Sequence, residues 1–93
     1  MKKLLDEKLA KPRWSLVPWE QFKQVGDVFT LGATKYGDEN WKTLDTQVYK
    51  DALMRHVISY MEGDKIDESG LDTLSHVIAN ALILRWFEND SKV

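Results

Sequence analysis

The strongest constraint on the fold lies between residues 45 and 87, where two segments with helical periodicity flank a short turn. The segments also carry polar side chains where packing alone would favour Leu or Ala, and these are His56, Asp72, His76 and Asn80. Two helical segments joined by a short turn are typical of an antiparallel helical hairpin. The pattern therefore predicts a hairpin with a polar site between its helices.

Length and composition limit the other possibilities. A chain of 93 residues predicts one helical domain over residues 1–93, with residues 1–10 as a flexible N-terminal extension. Because a lone core of this size is only marginally stable, we expect a homodimer or homotetramer that completes the bundle. The formal charge of -2 argues against binding to a nucleic acid duplex. The absence of cysteine excludes thiolate metal sites and thiol nucleophiles.

Apolar runs in the sequence are short. The longest, Val77 to Leu84, is interrupted by Asn80 and is too short to span a bilayer. The region up to Arg13 has Lys2 and Lys3 near its start but no sustained apolar stretch after them of the kind found in a secretion signal. We therefore expect a cytoplasmic protein that has no membrane partner.

The first main helix should begin near Pro18, because proline suits the first turn of a helix, and it should end before Gly37. Its apolar side chains recur at three- and four-residue spacing, and they are Trp19, Phe22, Val25, Phe29 and Ala33. Gly26 and Gly32 lower helix propensity within this segment, which predicts close backbone packing or a break at one of them.

Asp45 or Thr46 should cap a second helix, and a third should run to about Glu88. The second helix has two apolar faces. One comprises Tyr49, Ala52, Leu53, His56, Val57 and Tyr60, and the other comprises Met54, Ile58 and Met61. Ser69 to Asp72 has the spacing of a capping box before the third helix. That helix has a main apolar stripe of Leu71, Leu74, Val77, Ile78, Ala81 and Leu82. The predicted fold class is all-α with three main helices.

A row of polar residues runs along the third helix. Asp72, His76 and Asn80 follow at intervals of four, opposite the main apolar stripe, and a hairpin would bring His56 level with His76. Metal sites in helical bundles are built from carboxylates and imidazoles that project inward in this way. The alternative is that both histidines are hydrogen-bonded core residues and that Asp72 only caps the helix.

Four acids lie within seven positions around the predicted turn, namely Glu62, Asp64, Asp67 and Glu68. Carboxylates this close repel one another unless a cation lies among them, and oxygen ligands suit Mg²⁺ or Mn²⁺ bound to a phosphate-bearing substrate. The alternative is a solvated acidic turn in which Asp67 caps a helix.

Basic and aromatic residues near the predicted loops could bind a nucleotide. Arg13 and Lys35, together with Lys11, are candidate phosphate contacts. Trp41 could stack on a base while the amide of Asn40 contacts its edge. The alternative for Trp41 is a packing role at the mouth of the bundle.

Several short motifs occur in a characteristic order between Lys11 and Leu84. They are Lys11-Pro12-Arg13-Trp14-Ser15-Leu16-Val17-Pro18, Gly32-Ala33-Thr34-Lys35-Tyr36-Gly37, Asn40-Trp41, Arg55-His56, Glu62-Gly63-Asp64, Asp67-Glu68-Ser69-Gly70-Leu71, and His76 with Asn80. In this order they resemble the small phage domain known as dATP/dGTP diphosphohydrolase, N-terminal. The resemblance implies kinship with all-α pyrophosphohydrolases of the MazG type. It also implies Mg²⁺- or Mn²⁺-dependent cleavage of a purine deoxynucleoside triphosphate to the monophosphate and pyrophosphate.

Under this hypothesis Glu68, Asp72 and His76 hold the metal, and His56 transfers a proton or ligates the metal. The expected substrate contacts are Arg13, Lys35, Asn40, Trp41 and Asn80. MazG-type enzymes hold their metal with a Glu-Glu-x-x-Glu run and a Glu-x-x-Asp run, and neither run occurs in this chain. That departure keeps two alternatives open, a non-catalytic nucleotide-binding module and a structural helical oligomer.

Overall fold

The computed structural model describes residues 11–91, and these form three α-helices. The helices are α1 (Trp19–Tyr36), α2 (Thr46–Met61) and α3 (Thr73–Ser91), with short 3-10 helices at Trp14–Leu16 and Asn40–Thr43. This part of the chain contains no strand, and Ile66 and Asp72 form an isolated β-bridge. The all-α prediction with three main helices is therefore confirmed. The predicted extension over residues 1–10 lies outside the described residues.

The bounds of α1 agree with the sequence prediction. Pro18 occupies the N-cap position, and Gly37 ends the helix with a φ of 102°, which glycine adopts without steric cost. The prediction about Gly26 and Gly32 is wrong, because α1 is continuous through both and a Cβ atom at either would meet no atom within 4 Å. No described helix is long and apolar enough to cross a membrane.

The second helix begins as predicted. The Asp45 carboxylate accepts a hydrogen bond of 2.8 Å from the backbone N–H of Gln47 and so caps α2. The face of α2 that includes Tyr49 and His56 packs inward, whereas Met54, Ile58 and Met61 remain exposed. Only one of the two apolar faces is therefore covered within the single chain.

The third helix begins later than the predicted capping box. The N–H of Asp67 donates to the carbonyl of Leu71, and Gly70 adopts a φ of 90°, so this stretch forms a turn. Asp72 is itself the cap, since its two carboxylate oxygens accept hydrogen bonds of 2.8 Å from the N–H and the hydroxyl of Ser75. The prediction that Ser69 caps the helix is therefore wrong.

Thr73 ties the start of α3 to the preceding loop. Its side chain is buried and donates a hydrogen bond of 2.8 Å to the carbonyl of Asp64, while its N–H donates to the carbonyl of Lys65 at 2.9 Å. The neighbouring N–H of Asp72 donates to Oε1 of Gln24 on α1 at 2.9 Å. All three helices are thus fixed relative to one another near this point.

The inward face of α3 differs from the predicted apolar stripe. Leu74, Ile78 and Leu82 are 39–47% exposed. The buried positions on α3 are Thr73, Ser75, Ala79, Asn80 and Ile83, and the apolar ones join Val25 of α1 and Tyr49 of α2 in a small core. Because the polar row of α3 faces α2, the stripe on its opposite side faces away from the hairpin.

Replacing the cap residue Asp72 tests its role in stabilising the start of α3. Asp72→Ala should lower the free energy of unfolding by about 1 kcal/mol, since the N-terminal groups of α3 lose their acceptor. Asp72→Asn should retain most of the stability, because Asn caps helices about as well as Asp. Urea unfolding followed by circular dichroism measures both. Equal stability of Asp72→Ala and the unaltered protein would contradict the capping role.

Candidate functional site

Two stacked imidazoles lie between α2 and α3. His56 of α2 and His76 of α3 have ring centroids 4.7 Å apart and ring planes inclined by 20°. Their side chains are only 13% and 12% exposed. The predicted alignment of the two histidines across the hairpin is therefore confirmed.

A single carboxylate contacts both rings. Oδ1 of Asp67 lies 3.5 Å from Nδ1 of His56, and Oδ2 lies 3.4 Å from Nε2 of His76. Asp67 is held in place by the backbone N–H of Ser69, which donates to Oδ2 at 2.9 Å. Oγ of Ser69 also forms a hydrogen bond of 2.9 Å with Nε2 of His76. Loop and helices thus converge on one cluster.

The cluster perturbs the protonation of two of its members. Burial acts to raise the pKa of Asp67, but hydrogen bonds from Ser69 and the charges of His76 and His56 outweigh it and lower that pKa below its ordinary value. Burial lowers the pKa of His56, and the neighbouring His76 lowers it further despite the opposing effect of Asp67. The site therefore favours an ionised carboxylate beside a neutral His56.

The imidazoles form part of the wall of a cleft of about 380 Å³ between the three helices. Six of the nine predicted site residues line it, namely Lys35, Asn40, Trp41, His56, His76 and Asn80. Most of the remaining wall is apolar or aromatic and includes Phe29, Leu44 and Tyr49. A largely apolar cleft with a few convergent polar groups is the usual form of a small-molecule site.

Trp41 contributes to both the cleft and the packing of the domain. Its ring makes edge contacts with Phe29, Trp86 and Phe87 at centroid distances of 5.2–6.5 Å. Its backbone carbonyl accepts a hydrogen bond of 2.8 Å from the hydroxyl of Tyr49. The two alternatives for this residue are therefore compatible, since a packed ring also forms part of the cleft wall.

Asn80 is a buried polar residue on the same wall. Its Nδ2 donates a hydrogen bond of 2.7 Å to the backbone carbonyl of His76, one turn earlier in α3. This bond fixes the amide beside the imidazole pair. Asn80 is only 8% exposed, so any ligand contact it makes must occur within the cleft.

Three of the predicted site residues do not line the cleft. Arg13 and Glu68 are exposed, and both carboxylate oxygens of Asp72 are used in capping α3. Within residues 11–91 no group of three or more histidine, aspartate or glutamate side chains could hold a metal ion. The described residues alone therefore do not fit Mg²⁺ or Mn²⁺, and the metal assignment of Glu68, Asp72 and His76 stays a prediction.

Asp67 is a site residue that the sequence analysis did not pair with the histidines. The sequence pattern assigns it either to an acidic turn or to a helix cap. The turn formed by Ser69, Gly70 and Leu71 brings its carboxylate back towards the imidazoles. The sequence signal that could have located Asp67 is an acid followed by turn-forming residues, directly before the helix that carries His76.

The profile of the family described as "dATP/dGTP diphosphohydrolase, N-terminal" matches residues 2–93. The chain belongs to this family. The match extends over the cleft and the imidazole pair, and it confirms the resemblance found in the order of the short motifs.

One similar member of the dATP/dGTP diphosphohydrolases is a protein of that name from Salmonella phage PMBT28. It is 31% identical to this chain over 82 residues, which cover 87% of this chain and 28% of the phage protein. The chain thus spans less than a third of that relative's length. No solved structure matches the chain.

The lowered pKa of His56 predicts a pH-dependent stability. Below about pH 6.5, the ordinary pKa of histidine, His56 binds a proton in the unfolded chain before it does so in the folded protein. The free energy of unfolding should therefore fall as the pH is lowered from about 7.5 to about 5.5. His56→Gln should show a shallower fall over this range in urea unfolding, and parallel curves for the two proteins would contradict the prediction.

Proposed function

We propose that this family member supplies the nucleotide-binding cleft of a hydrolase that converts dATP or dGTP to the monophosphate and pyrophosphate. The observation that carries the proposal is the convergence of Lys35, Asn40 and Trp41 with the imidazole pair around one cleft. Membership of the dATP/dGTP diphosphohydrolase N-terminal family supports the same function.

The composition of the cleft favours a role for each part of the ligand. The aromatic wall at Trp41 suits the face of a purine, and the amides of Asn40 and Asn80 can bind its polar edge or the sugar. Lys35, in the last turn of α1, can reach a phosphate that extends towards solvent. A cleft of about 380 Å³ lies within the range typical of small-molecule sites.

Hydrolysis requires a water molecule to attack the α-phosphorus while pyrophosphate leaves. A neutral imidazole can accept the proton of that water, and burial keeps His56 neutral by lowering its pKa. Positive charge near the phosphates would stabilise the departing pyrophosphate, and Lys35 is the cleft residue that carries it.

We keep dependence on Mg²⁺ or Mn²⁺ as part of the proposal. Mg²⁺ usually binds through one or two carboxylates together with substrate phosphates and several waters. Residues 11–91 do not fit such an ion by themselves. Some of its ligands would therefore come from the nucleotide and from protein outside these residues.

A second candidate is a nucleotide-binding module that does not turn its ligand over. It is favoured by the lack, among residues 11–91, of a side-chain group that could hold a metal. Binding of dGTP without pyrophosphate release, in the presence of Mg²⁺ or Mn²⁺, would select this function over hydrolysis.

The decisive measurement is a panel of dATP, dGTP, dCTP and dTTP, with binding followed by calorimetry and turnover by pyrophosphate release. Each should be run with Mg²⁺, with Mn²⁺ and with chelator.

Lys35→Ala should raise the Kd for a purine deoxynucleotide by about 5- to 10-fold, because one charge-assisted phosphate contact is lost. Lys50→Ala, an exposed change on α2, is the matched control. Equal affinity of both variants would remove Lys35 from the site.

We also propose that the protein is a homodimer or homotetramer. The exposed apolar side chains on the two helices of the hairpin include Met54, Ile58, Met61, Leu74, Ile78 and Leu82. A second copy that covers this surface would add apolar burial to a small core.

Ile78→Glu should therefore shift the protein towards monomer in sedimentation velocity at micromolar concentration. The matched control is Leu16→Glu, which alters an exposed apolar residue in the 3-10 helix before α1. A monomeric unaltered protein under the same conditions would refute association.

A further inference from the structure

We propose that Asp67 is a positioning residue for His56, holding its imidazole with the proton on Nδ1 and leaving Nε2 as an acceptor within the cleft. The use of that acceptor by a nucleotide or an attacking water rests on the proposed function. The tautomer itself does not, and it can be measured without any nucleotide.

The His56 ring is oriented towards Asp67. Its Nδ1 faces Oδ1 of Asp67 at 3.5 Å, and the ring lines the cleft. An ionised carboxylate can only accept hydrogen bonds, so a ring nitrogen that interacts favourably with it must carry a proton. With Nδ1 protonated in a neutral ring, Nε2 has a free lone pair.

The Asp67 carboxylate is held in place by hydrogen bonds within its own loop. Its Oδ2 accepts from the N–H of Ser69 at 2.9 Å, its own N–H donates to the carbonyl of Leu71, and its carbonyl accepts from the N–H of Gly70. Its side chain is only 18% exposed. These bonds leave Oδ1 directed at His56 and favour the ionised form.

The same carboxylate also contacts His76. Oδ2 of Asp67 lies 3.4 Å from Nε2 of His76, so this nitrogen also carries a proton beside the ionised carboxylate. Oγ of Ser69 then accepts from Nε2–H of His76 at 2.9 Å. The two stacked rings are thus held in opposite tautomers, with Nδ1–H in His56 and Nε2–H in His76.

The contact between Asp67 and His56 resembles that of a carboxylate that orients a general base. A buried carboxylate bound to one imidazole nitrogen selects the tautomer in which the other nitrogen can take a proton. Free neutral histidine favours the proton on Nε2, so a His56 with Nδ1–H would be a departure imposed by its surroundings. A proton found on Nδ1 of His56 would therefore indicate that its surroundings select the tautomer.

The test uses the full ¹⁵N-labelled chain and long-range ¹H–¹⁵N correlation spectra of the histidine rings, recorded above the pKa range of histidine. We expect the unaltered protein to show Nδ1–H in His56 and Nε2–H in His76. A His56 found with Nε2–H in the unaltered protein overturns the proposal at once, with no variant needed.

Asp67→Asn provides the sharper comparison. The N–H of Ser69 requires an acceptor, so the oxygen of the introduced amide should take that place and turn the amide NH₂ towards Nδ1 of His56. His56 should then change to the Nε2–H form. A correctly folded variant that retains Nδ1–H in His56 would overturn the proposal.

Two further variants provide controls. Ser69→Ala removes the hydroxyl but keeps the N–H, so it should alter the His76 resonances and leave His56 with Nδ1–H. Asp51→Asn removes the same charge from an exposed site on α2 and should change neither ring. Altered tautomers in Asp51→Asn would mean that loss of charge, and not Asp67, controls the rings.

In protein that hydrolyses dATP or dGTP, Asp67→Asn should lower kcat by about 10- to 100-fold while changing the Kd for the nucleotide by less than about twofold. A merely structural role would instead change both with the loss of fold. Absence of nucleotide binding in the unaltered protein would refute the proposed function and leave the tautomer result to stand or fall separately.

Discussion

The start of α3 is the constraint on which the arrangement of the domain depends. Thr73 is buried and uses both its hydroxyl and its N–H to bind carbonyls of the loop that leaves α2. The adjacent Asp72 binds Gln24 of α1 through its N–H while its carboxylate caps α3. Because a helix is rigid, fixing its first turn also fixes the level of His76 against His56. The hydrogen bonds of two adjacent residues therefore determine where the imidazole pair forms.

The ends of α1 and the start of α2 could be predicted from the sequence because they depend on local signals. Pro18, Gly37 and Asp45 mark helix ends through properties of single residues, and the structure confirms all three. The start of α3 could not be predicted in the same way. Two acceptors compete for the first turn there, and the choice of Asp72 over Ser69 depends on the turn at Gly70 and on contacts with distant residues.

The site and the core could be predicted only in part, because they also depend on contacts between distant residues. The row of His76 and Asn80 indicates a polar surface on α3, and both residues do line the cleft. Periodicity alone could not tell which side of α3 faces the hairpin, because the helix is apolar on nearly all sides. Asp67 could not be assigned for a related reason, since its position beside the rings results from how the loop folds back.

The cleft has few polar groups on its wall. Its wall is largely apolar and aromatic, and the two imidazoles on it contact the half-buried carboxylate of Asp67. Such a site binds through shape and a small number of directed hydrogen bonds.

The bridge between Ile66 and Asp72 has a consequence for how the chain can vary. It closes a loop whose ends are fixed to helices and whose interior carries both Asp67 and Ser69. Inserting or deleting one residue here would displace the carboxylate by about 3 Å, the length of one residue of chain, and so remove it from the rings. The length of this loop is therefore as much a part of the site as the identity of any residue within it.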